Sequence, residues 1–176
     1  MFPNFISSFS FENMKISRVD VKLIEKQLGR NPRGVLKVLK RCGEGYPQVI
    51  LSSPVLEDGT PFPTIFWLTC PFLIKEVSRL EGKGLIKHLQ SRIKEDGSFR
   101  LELNEAHDDY RGKRAELPGF RKDKCDDTGI AGISNLNNLK CLHAYFAHYL
   151  ATGLNPVGKL VGSYIEEVDG CDECGR

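Results

Sequence analysis

The 176 residues have an ordinary globular composition, with 40% hydrophobic and 27% charged residues, which excludes the strong polar bias of a disordered protein. Lysine and arginine number 25 against 23 aspartate and glutamate, so the net charge of +2 gives no basis for general nucleic-acid or membrane-surface binding. No apolar run reaches the roughly 18 residues needed to span a bilayer, and the sequence begins without the basic region and cleavage site of an export signal. We therefore expect a cytoplasmic protein without a membrane anchor.

The chain length predicts a single domain over residues 14–176, since domains commonly contain roughly 100–200 residues. Residues 1–13 precede an internal methionine, Met14, and are predicted to be a disordered extension or a loosely docked arm. Six cysteines in a chain without an export signal favour reduced thiols over a disulfide framework. Those thiols would be packed in the core, catalytic or bound to a metal.

The first predicted elements are a helix and a small sheet. Asp20 is the expected N-cap of an amphipathic helix that ends at Gly29. Two aliphatic runs, 35–42 and 48–55, flank the turn-forming stretch GEGYP and predict a β-hairpin. A third strand is predicted over residues 64–69, where the bulky run TIFWLT is typical of a strand buried on both faces.

Helices dominate the rest of the chain. Pro71 follows Cys70 directly, and because proline is favoured at the first helical position, Cys70 is the predicted N-cap of the next helix. Helical spacing continues over residues 71–80, 85–94, 99–114, 139–151 and 156–168. Residues 116–138 lack periodicity and form a long loop, a candidate lid, and residues 169–176 are predicted to be a flexible tail. The expected fold is α+β, a small antiparallel sheet over about residues 35–70 packed against several helices.

Two thiols occupy positions that favour a negative charge. Cys70 and Cys141 are each predicted at or near the first turn of a helix, where free amide hydrogens and the helix dipole lower a thiol pKa. Either residue is thus a candidate catalytic nucleophile. The alternative is that each fills space in the core, as cysteine often does.

A zinc site is the second interpretation of the cysteines. In a meander, the first and third strands run the same way, so the thiols of Cys42 and Cys70 are expected near one edge of the sheet. With Cys141 and His143 they would supply four tetrahedral ligands. Residues two apart on a helix point roughly 160° apart, so Cys141 and His143 share an ion only if Cys141 lies at the helix start. An iron–sulfur cluster on the three thiols is the weaker variant.

The predicted helix over 99–114 carries a polar stripe. His107, Tyr110, Arg111 and Arg114 fall at helical spacing on one face, and paired guanidinium groups suit a phosphate or carboxylate. The stripe therefore predicts binding of an anionic small molecule by Tyr110, Arg111 and Arg114. The favoured alternative is a solvated face on which Asp108 pairs with Arg111.

Two further features have weaker interpretations. Cys171 and Cys174 have the C-x-x-C spacing of a zinc half-site or a redox pair, but a second pair is missing; only Cys125 or the core thiols could complete a site. His88 has no partner nearby in sequence and is expected on the surface.

Six motifs in order, RCGEGYP, DGTPFPTIFWLTCP, EAHDDY, GIAGI, KCLHAYFAH and NPVG, resemble those of a bacterial family catalogued as domain of unknown function 501. The resemblance covers nearly the whole chain after Met14. The resemblance implies no activity, cofactor or substrate, but it implies which residues are candidates for a functional site: Cys42, Cys70, His107, Tyr110, Cys141, His143, His148, Asn155 and Pro156. The C-x-x-C pair lies outside these motifs.

Two hypotheses follow. In the first, the protein is an enzyme or ligand-binding protein whose pocket joins three cysteines to three histidines beneath the loop 116–138, with catalytic candidates Cys70, Cys141, His107 and His148. A bound metal or a low-pKa thiol would then do the chemistry. In the second, the protein is a non-catalytic interaction module with packed cysteines or a structural zinc. A metal site with an open coordination position would favour the first hypothesis, because a structural zinc site is closed.

Overall fold

The computed structural model describes residues 15–120 and 127–165, and its architecture is α+β, as predicted. Three strands form one sheet: β1 (Val35–Arg41), β2 (Pro47–Ser52) and β3 (Phe66–Leu68). Six helices are present in the described residues: α1 (Arg18–Leu28), α2 (Pro71–Gly82), α3 (Leu85–Glu95), α4 (Gly97–Ala115), α5 (Leu142–Thr152) and α6 (Pro156–Ser163). A short 3₁₀ turn covers Ile130–Gly132.

The sheet is an antiparallel meander with β2 in the centre. β1 and β2 form the predicted hairpin, closed where the Cys42 amide donates to the Tyr46 carbonyl at 3.0 Å. β3 pairs with the other side of β2, with Ile50 opposite Trp67. β1 and β3 are therefore two strand spacings apart, about 10 Å.

Both faces of the sheet are covered by helices. Val49, Leu51, Phe66 and Leu68 belong to the main hydrophobic core, and α5 packs across all three strands. Alternation along a strand points Ile50 to the opposite face, where α1 lies against β2. Helices on both faces of the sheet agree with the prediction, made from the run TIFWLT, that the third strand is buried on both faces. Contacts with all three strands place α5 centrally in the fold.

Helix boundaries follow from local capping, with three corrections to the sequence prediction. The last helix, α6, ends at Ser163 with Tyr164 as its C-cap, and not at the predicted residue 168. Cys70 is the N-cap of α2, as predicted. α1 begins earlier than expected, because the Ser17 hydroxyl, and not Asp20, is its cap and accepts the Asp20 amide at 3.0 Å. α5 begins later than expected, with Cys141 as its N-cap, since the Gln90 side chain accepts the Leu139 amide at 2.9 Å and holds the preceding segment outside the helix.

Some predictions fall outside the described residues. These are the extension 1–13, the tail 169–176, and the cysteines Cys125, Cys171 and Cys174. Among the helices of the described ranges, none is long and apolar enough to cross a membrane.

Candidate metal centre

The polar stripe on α4 is buried and bonded to backbone groups from distant segments. His107, Tyr110 and Arg114 are each at most 1% exposed. The Tyr110 hydroxyl accepts the Ile65 amide at 2.7 Å, and Arg114 Nη2 donates to the Thr128 carbonyl at 2.6 Å. These two side chains join α4 to the sheet and to the loop, so they are not placed to receive an anion from solvent.

Arg111 is the more accessible guanidinium of the stripe, with 32% of its side chain exposed. It pairs with Asp108 one turn earlier on α4, as predicted, but the predicted solvated face is wrong for the other three stripe residues, which are buried. Anion binding at Arg111 stays a prediction.

His107 fixes the described part of the long loop. Its Nδ1 accepts the Ile130 amide at 3.1 Å, and a Cβ added at Gly129 would lie only 2.5 Å from Nδ1. Ile130 is fully buried. The segment around GIAGI is therefore packed core on α4, which does not fit the predicted role of a lid for that part of the loop.

His148 belongs to the same buried interior. Its Nδ1 accepts from the side-chain amide of Asn155 at 3.2 Å, and its Nε2 donates to Asp109 at 3.0 Å. Asn155 in turn caps α6 by accepting the Gly158 amide at 2.9 Å. Because His107 and His148 are both 0% exposed, neither of these predicted catalytic histidines is reachable by a substrate in this structure.

Replacing Tyr110 by phenylalanine tests this structural role. The change leaves the buried Ile65 amide without its acceptor, and an unsatisfied buried donor costs about 1–3 kcal/mol. Urea unfolding should show that loss, whereas Tyr164→Phe, at a side chain that is half exposed, should change stability by less than about 0.5 kcal/mol. Equal stabilities for the two variants would contradict the assignment.

A separate cluster of Glu81, Cys141 and His143 is partly exposed and lies between α2 and the start of α5. One ligand atom from each residue lies within 4.8 Å of the other two. Cys141 Sγ is 3.6 Å from His143 Nδ1, and Glu81 Oε1 is 3.4 Å from the same nitrogen. As the non-helical N-cap, Cys141 escapes the helical rotation that would otherwise point it away from His143.

The second ring nitrogen of His143 identifies the tautomer. Its Nε2 lies 3.1 Å from the Ile74 carbonyl and 3.2 Å from the Ser78 hydroxyl. The Ser78 hydroxyl itself donates to that carbonyl at 2.8 Å, so we assign the ring proton to Nε2. The Nδ1 lone pair of the neutral ring then faces the sulfur and the carboxylate, as in metal-binding histidines whose other nitrogen is held by a carbonyl.

The surroundings of the cluster favour a negative charge on Cys141 and a positive charge on His143. Burial works to raise the pKa of the Cys141 thiol, but hydrogen bonding and charge from His143 outweigh it, so this pKa is lowered. Burial works to lower the pKa of His143, yet Cys141, the Ile74 carbonyl and Glu81 together raise it. Both shifts favour the charged form of the group, the thiolate of Cys141 and the imidazolium of His143.

Two of the three pairwise separations in the cluster are close to those of a tetrahedral metal site, and the third, between sulfur and carboxylate oxygen, is within 4.8 Å. Zinc binds sulfur at about 2.3 Å and nitrogen or oxygen at about 2.0–2.1 Å, which at tetrahedral angles puts S and N about 3.5 Å apart and N and O about 3.3 Å apart. The observed distances are 3.6 and 3.4 Å. The Leu142 amide donates to Glu81 Oε1 at 2.7 Å and orients that carboxylate. Glu81, Cys141 and His143 are therefore a candidate ligand set for a metal ion.

The structure brings together half of the predicted zinc ligands. Cys141 and His143 are in the cluster, whereas Cys42 and Cys70 are not. Cys42 follows β1 and Cys70 follows β3, and the central strand β2 separates these two strands. Cys70 is also 1% exposed, which argues against its predicted role as a catalytic nucleophile. The iron–sulfur prediction required all three thiols, of which the cluster contains one.

Glu81 is the site residue that sequence reasoning missed. It is the penultimate residue of α2, where the negative end of the helix dipole disfavours a carboxylate. A carboxylate at this unfavourable position is the feature of the sequence that could have indicated a functional role for Glu81. Its spacing from Ile74 and Ser78 along α2 also places all three on one stripe towards His143.

The fold and the site define an α+β domain in which residues 15–120 and 127–165 contain one Glu/Cys/His cluster, at the junction of α2 and α5. Residues 38–163 match the family described as "Protein of unknown function (DUF501)". The chain belongs to this family, which confirms the predicted resemblance. No curated protein and no solved structure matches the chain.

Proposed function

We propose that this protein is a metalloprotein in which Glu81, Cys141 and His143 bind one divalent transition metal ion. The observation that supports it is the convergence of three lone-pair donors within 4.8 Å of one another, with Nδ1 of His143 3.6 Å from the sulfur and 3.4 Å from the carboxylate oxygen. A thiolate with an imidazole selects zinc or a similar borderline metal over magnesium and calcium, which prefer all-oxygen ligands. Zinc is therefore the favoured metal.

The donor set also suggests a chemical role. Three protein ligands with a fourth position for a small molecule are typical of catalytic zinc, which supplies Lewis acidity there. In the described residues no other histidine, cysteine or acidic side chain joins the three. The Ile74 carbonyl and the Leu142 amide hold His143 and Glu81 in place, so the chain itself orients the ligands.

Calorimetric titration of metal-free protein with zinc tests the proposal. We expect one zinc per chain. Because loss of a supporting outer contact alone typically costs 10–100-fold in affinity, Cys141→Ser, a direct ligand variant, should lose more than about 100-fold. Glu81→Gln and His143→Asn should also lose affinity. Matched controls are Cys42→Ser and His88→Asn, at residues outside the cluster, which should bind zinc like the unchanged chain.

Absence of zinc uptake, or equal affinity in ligand and control variants, would overturn the proposal. The lowered pKa of Cys141 and its contact with His143 then favour a second candidate, a thiol enzyme in which Cys141 is the nucleophile. Rapid alkylation of Cys141 in protein that binds no metal would be the result expected for that candidate.

A further inference from the structure

We propose that a groove between the end of α2 and the start of α3, lined by Arg79, Lys83 and Tyr164 among others, binds a small phosphorylated molecule that contains a flat aromatic ring. This inference goes beyond the proposed function and does not rest on it. At roughly 100° per residue, Arg79 and Glu81 point about 160° apart around α2, so the groove and the metal centre face different sides of that helix.

The first argument is the size and surface of the groove. Its volume is about 470 Å³, within the roughly 300–1,000 Å³ of small-molecule sites in proteins. Leu80 and Leu85 contribute apolar surface. Tyr164 is one of the few large apolar residues of the described chain that are at least half exposed, and it lines this groove. A flat aromatic ligand stacks well on such a side chain.

The second argument is the charge of the side chains. Arg79 and Lys83 line the groove, and none of the described residues that line it is acidic. Glu76, which is outside the lining, accepts from Nε and Nη2 of Arg79 at 3.0 and 2.6 Å. Those two bonds orient the guanidinium and use two of its five donors. Two positive charges against one negative charge leave the groove suited to an anion.

The third argument is the charge at the start of α3, which adds to that of the side chains. Gly84 and Leu85, which line the groove, are the N-cap and the first residue of α3. Gly84 has no side chain to cap the helix, and the first turn of α3 contains no acidic residue. A helix start has free amide hydrogens and a partial positive charge, for which an acidic or capping side chain usually compensates. Lys83 adds a further positive charge here instead.

These donors favour a phosphate over a carboxylate. A guanidinium group, an ammonium group and backbone amides line one groove, and a phosphate group has three acceptor oxygens for them, whereas a carboxylate has two. Arginine and lysine also make their strongest hydrogen bonds to such charged oxygens. The apolar surface and the Tyr164 ring beside the donors select a phosphate that is joined to an aromatic ring.

Calorimetric titration of the full chain with AMP at about 0.15 M salt tests the inference. We expect one AMP per chain, with weaker binding of ribose 5-phosphate, which lacks the aromatic ring, and of adenosine, which lacks the phosphate. Arg79→Gln/Lys83→Gln should weaken AMP binding about tenfold or more, because charge-assisted contacts to the phosphate are lost. Both residues are exposed, so the variant should fold. The matched control Lys22→Gln/Lys94→Gln removes the same charge at exposed residues outside the groove and should bind AMP like the unchanged chain.

Variants of Tyr164 test the aromatic part of the ligand. Tyr164→Ala removes the stacking surface and should reduce the preference for AMP over ribose 5-phosphate by about fivefold or more. Tyr164→Phe keeps the ring and should keep that preference. Ribose 5-phosphate has no ring to stack, so its affinity should be the same in the two variants.

The outcomes separate this inference from the proposed function. No binding at millimolar AMP, or an equal loss of affinity in the groove pair and the control pair, would overturn the inference. Equal affinities of the unchanged chain for AMP and ribose 5-phosphate would overturn the choice of an aromatic ligand. AMP binding that disappears in Cys141→Ser would place the phosphate at the metal centre and would also overturn the inference. AMP binding that persists in Cys141→Ser and depends on Arg79 and Lys83 supports it, whether or not the protein binds zinc.

Discussion

Gly158→Ala is expected to destabilise the protein by about 3 kcal/mol or more, because overpacking against groups that cannot move costs at least the upper end of the usual 1–3 kcal/mol. Gly158 lies in the first turn of α6. A Cβ there would fall far inside van der Waals contact with the Tyr145 carbonyl oxygen and with Tyr149 Cβ, both on α5. Neither atom is the end of a flexible side chain, so the two helices would have to separate.

Thermal unfolding checks this expectation. For a chain of this size, 3 kcal/mol corresponds to a fall in Tm of about 6–12 °C. Gly112→Ala is the matched control, since Gly112 is an exposed residue inside α4 with open space at its Cβ position. Alanine there should stabilise by about 0.5–1 kcal/mol through helix propensity alone. If Gly158→Ala changed the free energy of unfolding by no more than about 1 kcal/mol, the size of the change expected at Gly112, then α5 and α6 would not be rigidly packed.

This close contact explains the NPVG motif, which sequence analysis could identify but not interpret. Asn155 caps α6 and Pro156 occupies its first turn. Gly158 has no Cβ, which allows α5 to pack closely against α6. Local signals of this kind also predicted the hairpin and the start of α2 at Cys70, because they depend on neighbours in sequence. Ser17 and Asp20 are both good capping residues three positions apart, so propensity alone could not choose between them.

The stripe on α4 shows why the rest could not be predicted. Periodicity places His107, Tyr110 and Arg114 on one face but does not say what covers that face. Their partners are backbone groups of Ile65, Thr128 and Ile130, which only the tertiary fold brings near. The metal centre depends on tertiary contact in the same way: Glu81 and Cys141 meet because α5 packs on α2.

His107 makes a strong contribution to pH dependence. The ring is fully buried, its Nδ1 accepts from Ile130, and an interaction with the Leu136 backbone opposes the effect of burial on its pKa only in part. Burial lowers the pKa of His107 to about 4, below the unfolded value of about 6.5. Between these values the unfolded chain binds a proton that the folded chain does not, so stability falls as pH falls from about 6.5 to about 4, by about 3 kcal/mol in total.

Denaturant unfolding of His107→Asn at pH 7 and pH 4.5 isolates this contribution. Asparagine offers an acceptor for the Ile130 amide but does not titrate, so the variant should lose stability at pH 7 yet lose less than the unchanged chain on acidification. Carboxylates with lowered pKa, such as Asp20, Asp96 and Asp109, lose stabilisation in every variant and cancel in the comparison. His88→Asn, at an exposed histidine, controls for loss of a histidine and should keep the full pH dependence. Identical pH dependence in His107→Asn and His88→Asn would mean that the buried ring is charged or hydrated, and that α4 is less tightly closed over the loop than its contacts imply.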